Sequence, residues 1–528
     1  MGPIPPEIFA HFTSYLTFCE KRQALLVCRE WHEVIKSTNL YADFTLYGNE
    51  KFQAGEEFLK QNETYAKQVK SLRLVCPKIG PSHILTIPEH FPNLQNFEWV
   101  QTGLNNESFF TNDEDGKYWK NITNFLELNS VCLAIEILEN NGFCNLKKLH
   151  VNFCSVYSNC QLLISQLSKA PALKELTIES TMLSLFDLEN LHSNATKLET
   201  LHLSLITPKQ LENDEIMPAS KVKADKLTSW EFFELSVPED VELWSSWMGY
   251  IASTYKNLKH LTIESESVLD PVEAYETKLM EIAAACPLLE SYHVNISPIK
   301  SALLDAMDSA GIHLKKIELK GLINYQVSNV MLSHQLRSLE TLVLNANSRD
   351  AYEFLEVTPG IKHLELTGDC NSGLAINELL ENSHHLETIK VSNWTIQLGS
   401  DILEDNFQRG LKSLILENVK ISYANGDVMS FVSAACPELS TLAIQGVVVG
   451  SETLNLTFPN HHFASIQLDI EEHHVYKIIK QGRLRSYKIE AYCLYEVFAP
   501  ISEDQPHVLI VIEGCGRLKI GDGYICHW

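Results

Sequence analysis

One spacing recurs through this chain of 528 residues and constrains what it can fold into: an apolar residue, a second three positions on, and a third two beyond that. Clean copies are Leu173-x-x-Leu176-x-Ile178, Leu198-x-x-Leu201-x-Leu203, Leu258-x-x-Leu261-x-Ile263, Leu339-x-x-Leu342-x-Leu344 and Leu411-x-x-Leu414-x-Leu416. Leu94-x-x-Phe97-x-Trp99, Leu227-x-x-Trp230-x-Phe232 and Leu484-x-x-Tyr487-x-Ile489 are weaker, and the poorest copy lies near Ile122 and Phe125. The first apolar positions run 69, 94, 122, 146, 173, 198, 227, 258, 289, 314, 339, 361, 386, 411, 439, 463 and 484, seventeen copies in all. Their mean step is about 26 residues, a period that belongs to stacked supersecondary units.

An apolar-x-apolar pair puts both side chains on one face of a short strand and the intervening residues on the other. The position after the first apolar residue is Lys, Arg or Glu in twelve of the seventeen copies, as an outward position requires. Between strands the apolar residues switch to helical spacing: Val131, Ile135 and Leu138; Val272, Leu279, Ile282 and Cys286; Val428, Phe431, Val432 and Ala435. Each unit therefore reads strand, turn, helix, turn. No unit can bury both of its faces alone, so neighbours must stack.

Ala285-Cys286-Pro287-Leu288-Leu289 and Ala435-Cys436-Pro437-Glu438-Leu439 mark helix ends, because proline cannot continue the hydrogen-bond ladder. With the period, this Cys-Pro-x-Leu junction resembles the cysteine-containing class of leucine-rich repeats. The fold class is α/β: a curved solenoid over residues 69–492, with a parallel sheet on the concave side and helices on the convex side.

Residues 4–46 do not fit the repeat. Pro5 and Pro6 suit a helix start, and Ile8, Phe9, Phe12 and Leu16 form one stripe. Thr17-Phe18-Cys19-Glu20 has the form of a capping box, and Leu25, Cys28, Trp31 and Ile35 make a second apolar face. The Pro-x-Glu-Ile start, the Val27-Cys28-Arg29-x-Trp31 centre and the closing Leu40-Tyr41 pair resemble an F-box. Three departures are visible: Ile4 where leucine usually precedes proline, Cys19-Glu20-Lys21-Arg22 at the second helix start, and Tyr41 for the usual tryptophan.

The resemblance implies a three-helix docking domain (residues 1–46) for the Skp-type adaptor of a cullin–RING (SCF) ubiquitin ligase. Pro5, Ile8, Leu16, Leu25, Val27, Cys28 and Trp31 would then face the adaptor, and several of them, Trp31 above all, would also hold the helices together. The chain would be a non-catalytic substrate receptor. The alternative is a non-degradative scaffold built on the same repeats. A polar helical stretch over residues 47–68 follows without a Gly/Ser linker, so the two modules are expected to pack rigidly.

Acidic residues number 67 against 42 basic, a formal charge of −25, and neither nucleic acid nor an anionic membrane is a favoured partner of such a surface. The start of the chain shows no basic-then-apolar leader, and the longest apolar runs fall far short of the ~20 residues that span a bilayer. A cytoplasmic or nuclear protein is expected. Nucleotide-binding, zinc-protease and serine-hydrolase motifs are absent from the sequence, so no catalytic residue, cofactor or metal is assigned. The pairs His384-His385, His461-His462 and His473-His474 read as solvated loop residues, and Cys154 and Cys160 as framework cysteines.

The outward sheet positions form the expected working surface. Acidic residues outnumber basic ones there, and the candidate substrate face comprises Glu175, Glu179, His202, Glu231, Glu264, His293 and Glu318, suited to a neutral or basic segment of a protein substrate. Residues 493–528 lose the repeat. Two apolar runs around Gly514-Cys515-Gly516 read as a β-hairpin within a terminal cap.

Overall fold

The computed structural model describes residues 21, 24–38, 40–75, 81–100, 115–128, 133–153, 158–209, 224–234, 241–265, 273–296, 299–319, 324–345, 347–358, 360–369, 372–400, 410–446, 448–449, 453–470, 475–490, 493–497, 507–521 and 523–525. Two compact units divide the chain, Met1–Leu289 and Glu290–Trp528.

Among the described residues of the first unit nine strands pair in chain order, all parallel: β1 (Asp43–Tyr47), β2 (Ser71–Val75), β3 (Asn96–Val100), β4 (Asn124–Leu128), β5 (Lys148–Asn152), β6 (Glu175–Leu183), β7 (Thr200–Pro208), β8 (Ser229–Glu234) and β9 (His260–Ser265). Each of β2–β9 starts two residues after a first apolar position of the sequence pattern. The second apolar positions form one row of register partners, Leu72, Phe97, Phe125, Leu149, Leu176, Leu201, Trp230 and Leu261, all buried. Helices such as Leu133–Glu139, Leu185–Asn194 and Glu273–Ala285 cover the inner face, and Ile135, Leu138, Leu279, Ile282 and Cys286 are buried as their spacing requires.

The poorest copy has a physical reason. Its third core position is Glu127, buried among apolar neighbours, and its carboxylate accepts the Leu133 and Ala134 backbone N–H groups at 3.0 and 2.8 Å. A charged side chain thus takes a core position because it satisfies the open donors at a helix start.

In the second unit a parallel ladder of the same kind runs through Ser291–Val294, Lys316–Leu319, Thr341–Asn345, His363–Thr367, Thr388–Ser392, Ser413–Glu417 and Thr441–Gln445 into residues 465–469. Its row of second positions, Tyr292, Ile317, Leu342, Leu364, Ile389, Leu414, Leu442 and Ile466, is likewise buried. From Gly373 on, the repeats gain a second short strand, and Gly373–Ala375, Thr395–Gln397, Lys420–Ile421 and Val448–Val449 pair into a separate four-stranded parallel sheet. Asn393, Asn418 and Gly446 turn the corner between the two strands of a repeat with φ of 62°, 51° and 60°. Asparagine and glycine tolerate that left-handed conformation best.

Two expectations for the C-terminal stretch are corrected. Leu484, first position of the seventeenth copy, is exposed on Arg483–Glu490, a strand antiparallel to both its partners. Residues 507–520 are one strand, not a hairpin, and pair in parallel with Thr453–Asp469 along its length. Leu518, register partner of Ile466, occupies the next place on the core row. Gly514 and Gly516 serve close approach rather than a turn, since a Cβ there would lie 2.6 Å from His462 Nδ1 and 3.0 Å from the Ala464 carbonyl oxygen.

Candidate functional site

The N-terminal module is described from Lys21 on. Ala24, Ile35 and Leu40 form a small buried cluster, with Leu25, Trp31, Val34 and Tyr41 packed partly buried against it. Trp31 is therefore at least a packing residue, on the helix Arg29–Thr38. Beside it the turn before that helix presents Leu26 (85% exposed), Val27 (57% exposed) and Cys28 to solvent. Pro5, Ile8 and Leu16 lie outside the described residues. Leu26 was not in the adaptor-facing set read from the sequence, where the run Leu25-Leu26-Val27 gives no sign of which leucine turns inward.

The joint to the repeats is a built structure. Gln68 is buried, its Nε2 donates to the Lys36 carbonyl oxygen at 2.7 Å, and its Oε1 lies 3.5 Å from the Tyr41 backbone N–H. One side chain thus holds the end of the helix Arg29–Thr38 and the segment after it. Tyr41 lies among Phe44, Phe58 and Tyr65, with ring centroids 4.7–6.3 Å away. The residues just after Tyr41 form β1, paired with β2 from Asp43↔Ser71 to Tyr47↔Val75, so the N-terminal module leads directly into the repeat sheet.

On the open face of the first unit's sheet, the expected acidic residues are already engaged. Lys148 Nζ is 2.6 Å from Glu175, and Glu179 accepts from Asn152 Nδ2 at 2.8 Å with His150 Nε2 3.0 Å away. His202 Nδ1 is 2.7 Å from Glu231, and its ring stands 5.2 Å from that of Phe233. Arg73 meets Glu98 at 2.9 Å. Glu264 is half-buried on β9. Lys148–Glu175, Asn152–Glu179, His202–Glu231 and Arg73–Glu98 are cross-strand partners at matching register, the pairs that stabilise a sheet face, and His150 lies diagonal to Glu179. In the second unit His293 is buried, with Nδ1 3.6 Å from Glu318, which also pairs with Lys316. Lys390 sits between Glu365 and Glu417, at 3.1 Å from each.

A groove of about 480 Å³ crosses β2–β6 on this face. Asn96, Asn124, Lys148 and Glu175 line it at the strand starts, with Glu98, Leu126, His150 and Thr177 in the next outward row. Asn124 Nδ2 donates to Asn96 Oδ1 at 2.6 Å. The asparagines were missed in the sequence, where charged residues drew attention, although the strand register already placed them outward.

The remaining singled-out residues are structural. His461 is buried on its strand rather than solvated, with Nε2 2.9 Å from the Cys436 carbonyl oxygen. Cys286 Sγ donates to the Tyr255 carbonyl oxygen at 3.1 Å. Burial pushes the Cys286 thiol up to about 11 and those of Cys160 and Cys436 to about 12, which leaves them unreactive. Cys154, His473 and His474 lie outside the described residues. No helix among the described residues is long and apolar enough to cross a membrane.

Comparison with known proteins agrees with the N-terminal reading. A family profile described as F-box-like matches residues 2–47. No curated protein matches the chain. Among solved structures, the crystal structure of the mouse RP105/MD-1 complex is similar at 17% identity and a TM-score of 0.41, over 77% of this chain and 67% of that one. The TLR13–ssRNA13 complex is similar at 13% identity and a TM-score of 0.37, over 77% and 71%. The profile match and the register of the apolar rows together define the architecture: this chain is an F-box-like domain followed by an α/β array of leucine-rich-repeat type.

Proposed function

We propose that the protein is the substrate receptor of an SCF-type ubiquitin ligase, with its F-box-like domain docked on a Skp-type adaptor and the open face of its repeats holding a protein substrate. The observation that carries this reading is the exposed Leu26-Val27-Cys28 turn within the F-box-like match. Apolar side chains in so small a module gain most by docking on a partner. The receptor itself transfers nothing; it raises the local concentration of substrate beside the loaded conjugating enzyme.

The candidate substrate residues are Glu175, Glu179, His202, Glu231 and Glu264 on the sheet of the first unit and, on the sheet of the second unit taken by itself, His293 and Glu318. The test is capture of a purified Skp-type adaptor by the full chain. Pro5→Ala with Ile8→Ala should abolish it while the thermal unfolding of the repeats stays unchanged, and undiminished capture would count against the reading.

A further inference from the structure

We infer that the groove across β2–β6 takes an extended, uncharged segment of the substrate, held through its main chain by Asn96 and Asn124. This rests on the substrate-receptor reading and names what that face binds.

Three observations carry it. First, the Asn124–Asn96 hydrogen bond uses one donor and one acceptor of two side-chain amides. The Asn96 Nδ2 donors and the Asn124 Oδ1 acceptor are left with no side-chain partner among the described residues, and a peptide main chain offers the complementary C=O and N–H groups. Second, the charges around the groove already have partners: Arg73 pairs with Glu98, Lys148 with Glu175, and Glu179 accepts from Asn152. A charged ligand would have to break one of these pairs, whereas a neutral one leaves them intact. Third, Leu126 stands between its register partners Glu98 and His150 as the apolar member of that row. It offers contact to a single apolar side chain. Four strand spacings of ~4.8 Å span about 19 Å, the length of about six extended residues.

The test uses the full chain and three displayed pools of random peptides of about eight residues, one uncharged, one with added Lys and Arg, one with added Asp and Glu. The uncharged pool should be enriched, with one large apolar residue recurring. The selected peptides should lose at least about tenfold in affinity with Asn96→Ala plus Asn124→Ala, and again with Leu126→Asp. Their affinity should change less than about twofold between about 50 and 500 mM salt, since no charge pair forms on binding. Enrichment of the basic or acidic pool overturns the inference. So does equal affinity for both variants, or failure of every pool to exceed the Leu126→Asp background. Adaptor capture by the same preparations separates the outcomes: loss of peptide binding with capture intact removes the groove alone, and loss of capture in the unaltered chain removes the receptor reading.

Discussion

Three buried polar side chains show how single residues decide local structure. Glu127 occupies a core position and accepts two helix N–H groups, so Glu127→Ala leaves those donors unsatisfied in an apolar setting. A loss of about 2–3 kcal/mol is expected in chemical unfolding, against less than 1 kcal/mol for an exposed acid such as Glu63. Gln68→Ala should cost about 1–2 kcal/mol and, more specifically, speed amide exchange across Arg29–Thr38 without affecting β4–β9. His192, on the helix Leu185–Asn194, is buried with Nε2 2.8 Å from the Tyr255 hydroxyl, and burial lowers its pKa to about 4. Its folded pKa lies below the ordinary 6.5 of an unfolded chain. The unfolded state therefore gains a proton first, and stability falls as pH drops from about 6.5 toward 4, by up to about 3 kcal/mol. His192→Gln should flatten that part of the profile, and a wild-type stability that stayed level from pH 7 to 4 would contradict the assignment.

At the scale of elements, opposite charges pair just before the strands of neighbouring repeats at four places: Lys174 with Glu199 at 2.6 Å, Glu290 with Lys315 at 2.6 Å, Glu340 with Lys362 at 3.0 Å and Glu387 with Lys412 at 2.9 Å. All lie at least partly in solvent, so replacing one should change stability by no more than about 0.5 kcal/mol in a double-mutant cycle, and less in high salt. The strands themselves were legible because the register is written into the apolar spacing. Leu72 through Leu261 form one core row that could be aligned by eye. What was illegible has particular causes. Strands of two or three residues, such as Lys420–Ile421, are too short for a period to show. Glycine at 514 and 516 signals a turn and a close strand approach equally well. The pairing of Glu175, Glu179 and Glu231 depends on which cation stands opposite each acid, which a charge count along the chain hides.

For the whole molecule, the F-box-like domain carries the proposed contact with the ligase, and the Gln68 clasp with the Tyr41 aromatic cluster ties it to the first repeat. The three departures from the usual F-box pattern bear on this unequally. Tyr41 is accommodated by the ring cluster it joins, while Ile4, Cys19, Glu20 and Arg22 lie outside the described residues. The most direct measurement is adaptor binding by the full chain carrying Leu26→Asp and Val27→Asp, two side chains so exposed that the fold does not need them. Adaptor affinity should fall by at least about a hundredfold with an unchanged melting curve. An adaptor that binds this variant as tightly as the unaltered chain would contradict the proposed role of the N-terminal domain.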